Sequence, residues 1–221
     1  MKSLSASSHR RFRTMQKKFL SSLLLALTSV GLPALANAGD VFLLKQRSAF
    51  AVFSTVEGSI ETTAFLVAAQ ERLQNPPNVK SSGPFALVEI LKFDNSTPCE
   101  STLLMDAFGS VSLANQDFQI DRKLTSATLG PITIPVEDTV SGSSFNLEVA
   151  MSWTGFGETA RNKARSQFLM SGFSFKSRFD GVSREASASG TISDGITDYA
   201  TFPLDFADLE SLKNGEVDIT H

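Results

Sequence analysis

The sequence predicts an all-β protein, a single antiparallel β-sandwich of about ten strands, with a closed β-barrel as the alternative. Three observations predict it. Apolar and polar residues alternate with a period of two through most of residues 49–202. Short clusters of Pro, Gly, Asn, Asp and Ser punctuate that alternation. No stretch repeats its apolar residues at helical spacing, apart from a turn or two in DFADLESLKNG (205–215).

The clearest strand is SSFNLEVAMSW (143–153), where Phe145, Leu147, Val149, Met151 and Trp153 fall on one face. Asn146, Glu148, Ala150 and Ser152 take the other, the pattern of a strand buried on one side. Before it, strands are expected at AFAVFSTV (49–56), IETTAFLVAAQER (60–72), FALVEILKF (85–93) and STLLMDAF (101–108), each dense in apolar, β-branched or aromatic residues. DFQIDRKLTSATL (117–129) and PITIPV (131–136) follow, and later RSQFLM (165–170), SREASASGTI (183–192) and ITDYATF (196–202). LQNPPN (73–78) and SSGP (81–84) read as loops. Asp180-Gly181 and Asp194-Gly195 read as hairpin turns, because Gly tolerates the positive φ such turns demand.

In FSFKSRFDG (173–181), alternation assigns Phe173, Phe175 and Phe179 to the core. It leaves Ser174, Lys176, Arg178 and Asp180 on the wet face. The chain has 18 Phe against one Trp and one Tyr, which fits a packed sheet interior. A membrane barrel would carry Tyr and Trp girdles instead.

The ends of the chain have their own character. Lys2, Arg10, Arg11, Arg13, Lys17 and Lys18 precede the uncharged run FLSSLLLALTSVGLPAL (19–35), and Ala36-Asn37-Ala38 precedes Gly39. A basic head, an apolar middle and a small-x-small site predict a signal peptide over 1–38, cleaved after Ala38. Met15 opens a complete signal of ordinary length and is a second candidate start. The apolar run contains Pro33 and falls short of the roughly 20 residues that span a bilayer. The mature chain, 39–221, is then expected to be one exported domain, periplasmic or extracellular, and not membrane-spanning.

Removing the leader takes six bases and no acid from a total of 20 bases and 23 acids. The remaining 14 bases against 23 acids make the mature chain net negative, which argues against nucleic acid as a partner. Much of that charge sits in the segment 194–221, with seven acids against Lys213 alone.

The residue inventory excludes much chemistry. His9 leaves with the leader and His221 is the last residue, so no imidazole is placed for a Ser-His-Asp or Cys-His centre. One cysteine, Cys99 in STPCES, and one terminal histidine cannot build the usual zinc sites. Cys99 is expected to be an inert thiol. No cofactor and no metal are expected. Carboxylates alone suffice for a glycosidase, and Glu148, Asp194 and Asp198 are the acids weighed for it. A strand's wet face explains Glu148 as well, and turn chemistry explains the two aspartates.

One stretch stands out in an acidic chain. Arg161, Lys163, Arg165, Lys176, Arg178 and Arg184 are six of the 14 mature-chain bases, within 24 residues. On adjacent strands they would form a candidate site for an anionic polysaccharide or another anionic surface component. The acidic segment 194–221 offers an intramolecular alternative.

The run from Phe145 to Ile192 carries a W-T-G turn, the basic residues, then G-F-x-F-x-x-R-F-x-G-x-S-R-x-A-x-A-S-G. It resembles a scattered group of small secreted bacterial proteins with no assigned function. The resemblance covers about a quarter of the mature chain and implies bacterial export and an all-β fold, with no catalytic residue. The function expected is therefore an exported, non-enzymatic binding or structural module. The alternatives are a barrel that carries an apolar ligand in an enclosed cavity and a carboxylate glycosidase.

Overall fold

The computed structural model describes residues 40–75, 79–97, 100–170 and 173–220. The expected signal peptide, Cys99 and His221 lie outside the described residues.

The strands are β1 (Asp40–Glu57), β2 (Ile60–Asn75), β3 (Val79–Asp94), β4 (Thr102–Ser112), β5 (Phe118–Ile120), β6 (Ser126–Asp138), β7 (Ser144–Gly155), β8 (Ala160–Met170), β9 (Phe173–Ser193) and β10 (Leu204–Thr220). All neighbours are antiparallel, in the order β10-β1-β2-β3-β4-β6-β7-β9-β8, with β5 on β6. One layer is β10-β1-β2-β3-β4. Facing it are β5, β6, β7 and the C-terminal half of β9, with β5 lying against β1 and β2.

The layers join at both edges. β4 meets β6 through only Ala107↔Asp138 and Phe108↔Glu137. Asp138 clasps that thin junction, accepting from the Asp106 N–H (3.0 Å), the Val140 N–H (3.1 Å) and the Ser141 hydroxyl (2.5 Å). At the other edge β9 passes from β7 (residues 186–193) to β10 (residues 174–185). Pairing returns to its start, but the strands are not disposed evenly about an axis. The fold is a sandwich with joined edges rather than a barrel.

The space between the layers is filled by a set of alanines together with large side chains, among them Trp153, Phe53, Leu66 and Ile90. Ala49, Ala51, Ala64, Ala68, Ala86 and Ala107 line one side, all fully buried. Opposite stand Leu147, Val149, Met151 and Trp153, as the alternation in 143–153 predicts. The Trp153 indole is 1% exposed and crosses the interior to donate to the Phe50 carbonyl at 3.0 Å. A buried indole N–H needs such a partner.

Several local expectations are corrected. Ser81–Pro84 is no loop: β3 begins at Val79, and Ser81 and Pro84 pair with Leu73 and Gln70 of β2. Pro84 is tolerated because its nitrogen faces β4 where that ladder ends, at Ser112. Asp180-Gly181 is no turn either, lying within β9 while β8 and β9 are joined after Met170. Gly181 answers a close approach: a Cβ there would stand 2.8 Å from the Ser211 carbonyl, beside a bulge in β10. Residues 205–215 form part of β10, not helical turns. Residues 196–202 hold a 3-10 turn, Tyr199–Thr201, capped by Asp198, where a strand was expected. The stretch 117–129 divides into β5, a turn and the start of β6, and β6 continues through Pro131 by way of a bulge.

Candidate functional site

Register decides which of the predicted basic residues share a face. On β8 and β9, Arg161 stands opposite Val182, Lys163 opposite Asp180 and Arg165 opposite Arg178. Arg161, Lys163, Arg165 and Arg178 are exposed. Arg161 is already engaged, its Nη2 and Nε meeting Asp180 at 2.8 and 3.2 Å. That contact holds the Asp180 carboxyl below its ordinary range. Lys176 belongs to the same backbone register, opposite Gln167, but its side chain lies outside the described residues.

Arg184 does not join the set. Its guanidinium donates to the Gly157 carbonyl at 2.9 and 3.1 Å and to the Lys123 carbonyl at 3.4 Å. It ties the break between β7 and β8 to the β5–β6 turn. The acidic segment lies next door: β10 sets Glu216 opposite Arg178 and Asp218 opposite Lys176. Among the described residues β8 has one strand neighbour, β9, and basic residues are a common guard on such an edge.

Phe179 is also reassigned. Val182 packs against the core and Ala186 and Ile192 are buried in it, so the even positions of β9 face inward. The β8–β9 ladder is regular, which puts Phe179 on the opposite, outer face. The side chains of Phe173 and Phe175 lie outside the described residues.

The same reversal holds for most described phenylalanines. Phe53 and Phe118 are buried in the core. Phe50, Phe65, Phe85, Phe93, Phe108 and Phe206 alternate with core residues and stand on the outer face of β10-β1-β2-β3-β4. Leu87 and Leu91 join them, and Val52, Val67 and Ala69 are buried there outside the core cluster. The rings of Phe50 and Phe206 pack at 5.8 Å, whereas Phe108 is 42% exposed. The cause is in the sequence: AFAVF, AFLVAA and FALVEIL are apolar at both parities, the signature of strands covered on both faces.

Carboxylates are set into this outer face. Burial pushes Glu71 and Glu210 up, and burial with Asp106 nearby does the same for Glu89. Asp208 is pushed up to about 7 by burial and by Glu210, against N–H donors that include Arg184 at 3.0 Å. Gln46 and Glu71, cross-strand neighbours, each bury a side-chain polar atom that has no partner among the described residues. Over 46–54, 63–71, 83–93 and 204–210, the outward positions include these four acids and no Lys or Arg.

The acids weighed for glycosidase chemistry serve the backbone or a neighbouring hydroxyl. Glu148 accepts from the Thr133 hydroxyl at 2.9 Å. Asp194 accepts from the N–H groups of Ile196 and Thr197 and from the Tyr199 hydroxyl, at 2.7–2.9 Å. Asp198 accepts from the N–H groups of Ile192 and Ala200. The chain matches no known protein family, no curated protein and no solved structure.

Proposed function

We propose that the chain is an exported, non-enzymatic binding module whose working surface is the outer face of β10-β1-β2-β3-β4. Export rests on the composition of residues 1–38. One observation supports the binding reading: three adjacent strands are apolar on both faces, the facing layer of the sandwich covers only one of them, and on the other Phe85, Leu87 and Leu91 stay partly exposed beside the buried Val52, Val67 and Ala69. The carboxylates on that face, with no base among them, select the partner. An apolar segment bearing basic side chains satisfies both features. A second copy or an anionic lipid surface would oppose like charge to like.

The test is fluorescence anisotropy with a labelled amphipathic Leu/Lys peptide and its Leu/Glu counterpart. The Leu/Lys peptide is expected to bind, the Leu/Glu peptide not, and Leu87→Asp to abolish binding while the protein still folds. No binding, equal binding of both peptides, or a stable dimer of the chain by sedimentation overturns the reading.

A second reading has its own observation. Arg165 and Arg178 are exposed and directly opposite each other, an unfavourable pair that a bound anion relieves. Binding to an acidic polysaccharide would weaken with salt and vanish when Arg165 and Arg178 become Glu. No binding at low salt rules it out.

A further inference from the structure

The β1–β2 hairpin end of the sandwich holds a cleft of about 290 Å³. Its floor is one cross-strand row on the inward face: Thr55, Thr62, Lys92 and Met105 of β1, β2, β3 and β4, paired each to the next. One row deeper, the same inward positions are Phe53, Ala64, Ile90 and Ala107, all buried in the core. The interior thus changes from apolar to hydroxyl and ammonium in a single step. Tyr199 and Phe202, edge to face at 5.8 Å, wall the opposite side, and Glu57 stands among the lining residues.

Two polar residues of the described chain are buried, Thr62 and Asp138. Asp138 is fully used by its junction. Thr62, 9% exposed, has no hydrogen-bond partner among the described residues and lines the cleft. Lys92 has none either, and no carboxylate lies within 4 Å of it among the described residues. The Lys92 ammonium and the Thr62 hydroxyl thus line the cleft without a partner among the described residues, and both are available to a ligand. The Tyr199 hydroxyl is committed to Asp194, so its ring serves as a wall.

We infer that this cleft binds a hydroxylated carboxylic acid of about one sugar ring in size. The carboxylate meets the Lys92 ammonium and the Thr62 hydroxyl. Ligand hydroxyls reach Thr55 and Glu57, and the apolar side of the ring lies against Phe202 and Met105. The volume sits just below the range of roughly 300–1,000 Å³ usual for drug-sized ligands, which sets the size limit.

The experiment titrates D-glucuronate, D-glucose and acetate into the purified protein, followed by amide chemical shifts. Glucuronate is expected to move signals of the β1–β2 hairpin end and of residues 197–202. Glucose and acetate should bind at least about tenfold more weakly, since each lacks one half of the recognition. Lys92→Met should weaken glucuronate by about tenfold or more and leave melting unchanged; Lys92→Arg should retain binding. Absence of glucuronate binding, undiminished binding by Lys92→Met, or equal binding of glucose or acetate overturns the inference. None of these outcomes bears on the outer face.

Discussion

The two faces of β1, β2 and β3 are both apolar but built from different residues. Inward, Ala49, Ala51, Ala64, Ala68 and Ala86 alternate with Phe53, Leu66, Val88 and Ile90, all buried. Outward, on the same strands, Val52, Val67 and Ala69 are buried, while Phe85, Leu87 and Leu91 stay partly exposed. The alanines let the layers approach closely, and Trp153, Phe53, Leu66 and Ile90 fill what remains. The outward Phe85, Leu87 and Leu91 leave part of their apolar area in water. Full burial of a Phe or Leu side chain is worth about 1.5–3 kcal/mol, so each partly exposed one keeps a fraction of that for a partner. On the reading proposed above, the inner face supplies stability and the outer face binding, and substitutions at neighbouring positions can separate them.

The largest effect is expected at Trp153. Trp153→Ala removes an interlayer filler and its bond to the Phe50 carbonyl, and should cost about 3–5 kcal/mol by denaturant unfolding. The outer-face binding cannot be measured on a protein that has lost this much. A change below about 1 kcal/mol would show that the interior is not organised around the indole.

The comparison is sharpest at two consecutive residues. Ile90 is fully buried in the core and Leu91 faces outward, partly exposed. Ile90→Ala should cost about 2–5 kcal/mol and Leu91→Ala less than about 1 kcal/mol. Equal losses would mean that the outer face is as much a core as the inner one. Gly109→Ala should cost a further, smaller amount, about 1–3 kcal/mol. Its Cβ would stand 2.2 Å from the Pro135 carbonyl oxygen and 2.6 Å from a Val136 methyl, overpacking the seam beside the β4–β6 junction. The difference in melting temperature from wild type measures each.

How much of this was legible in the sequence depends on parity. In 145–153 only one parity is apolar, so both the strand and its buried face could be read, down to Trp153. In 49–53, 64–69 and 85–91 both parities are apolar; the strands were visible, but which face held the core was not. At Phe179 the alternation was clear and misassigned, because the inward positions of β9 carry Val182, Ala186 and Ile192 further along, and the outer face is apolar as well. The cleft had no sequence signal. Thr55, Thr62 and Lys92 come from three strands, and only the register of β1, β2 and β3 brings them into one row. Of the six basic residues, proximity in sequence placed four exposed on β8 and β9, but Arg184 is drawn off by two carbonyls.

A last effect concerns charge on the outer face. Asp208 is pushed up to about 7 in the folded protein, from an ordinary value of 3.8, by burial first and then by Glu210, with Glu185 adding a little. Between those values the folded state holds a proton that the unfolded state has released. This contribution to stability is therefore fully present below about pH 4 and falls as pH rises, until it levels off above about pH 7. Asp208→Asn keeps an acceptor for the Arg184 N–H and removes the titration. The variant should melt close to wild type at pH 4 and above it at pH 8. A partner bearing basic side chains, docked on this face, stabilises the ionised form, so its binding should release a proton near pH 6 and raise the wild-type melting temperature more at pH 8 than at pH 5. A melting difference independent of pH would show that Asp208 ionises on the outer face as freely as in water, and would remove the charge argument that selects a basic partner.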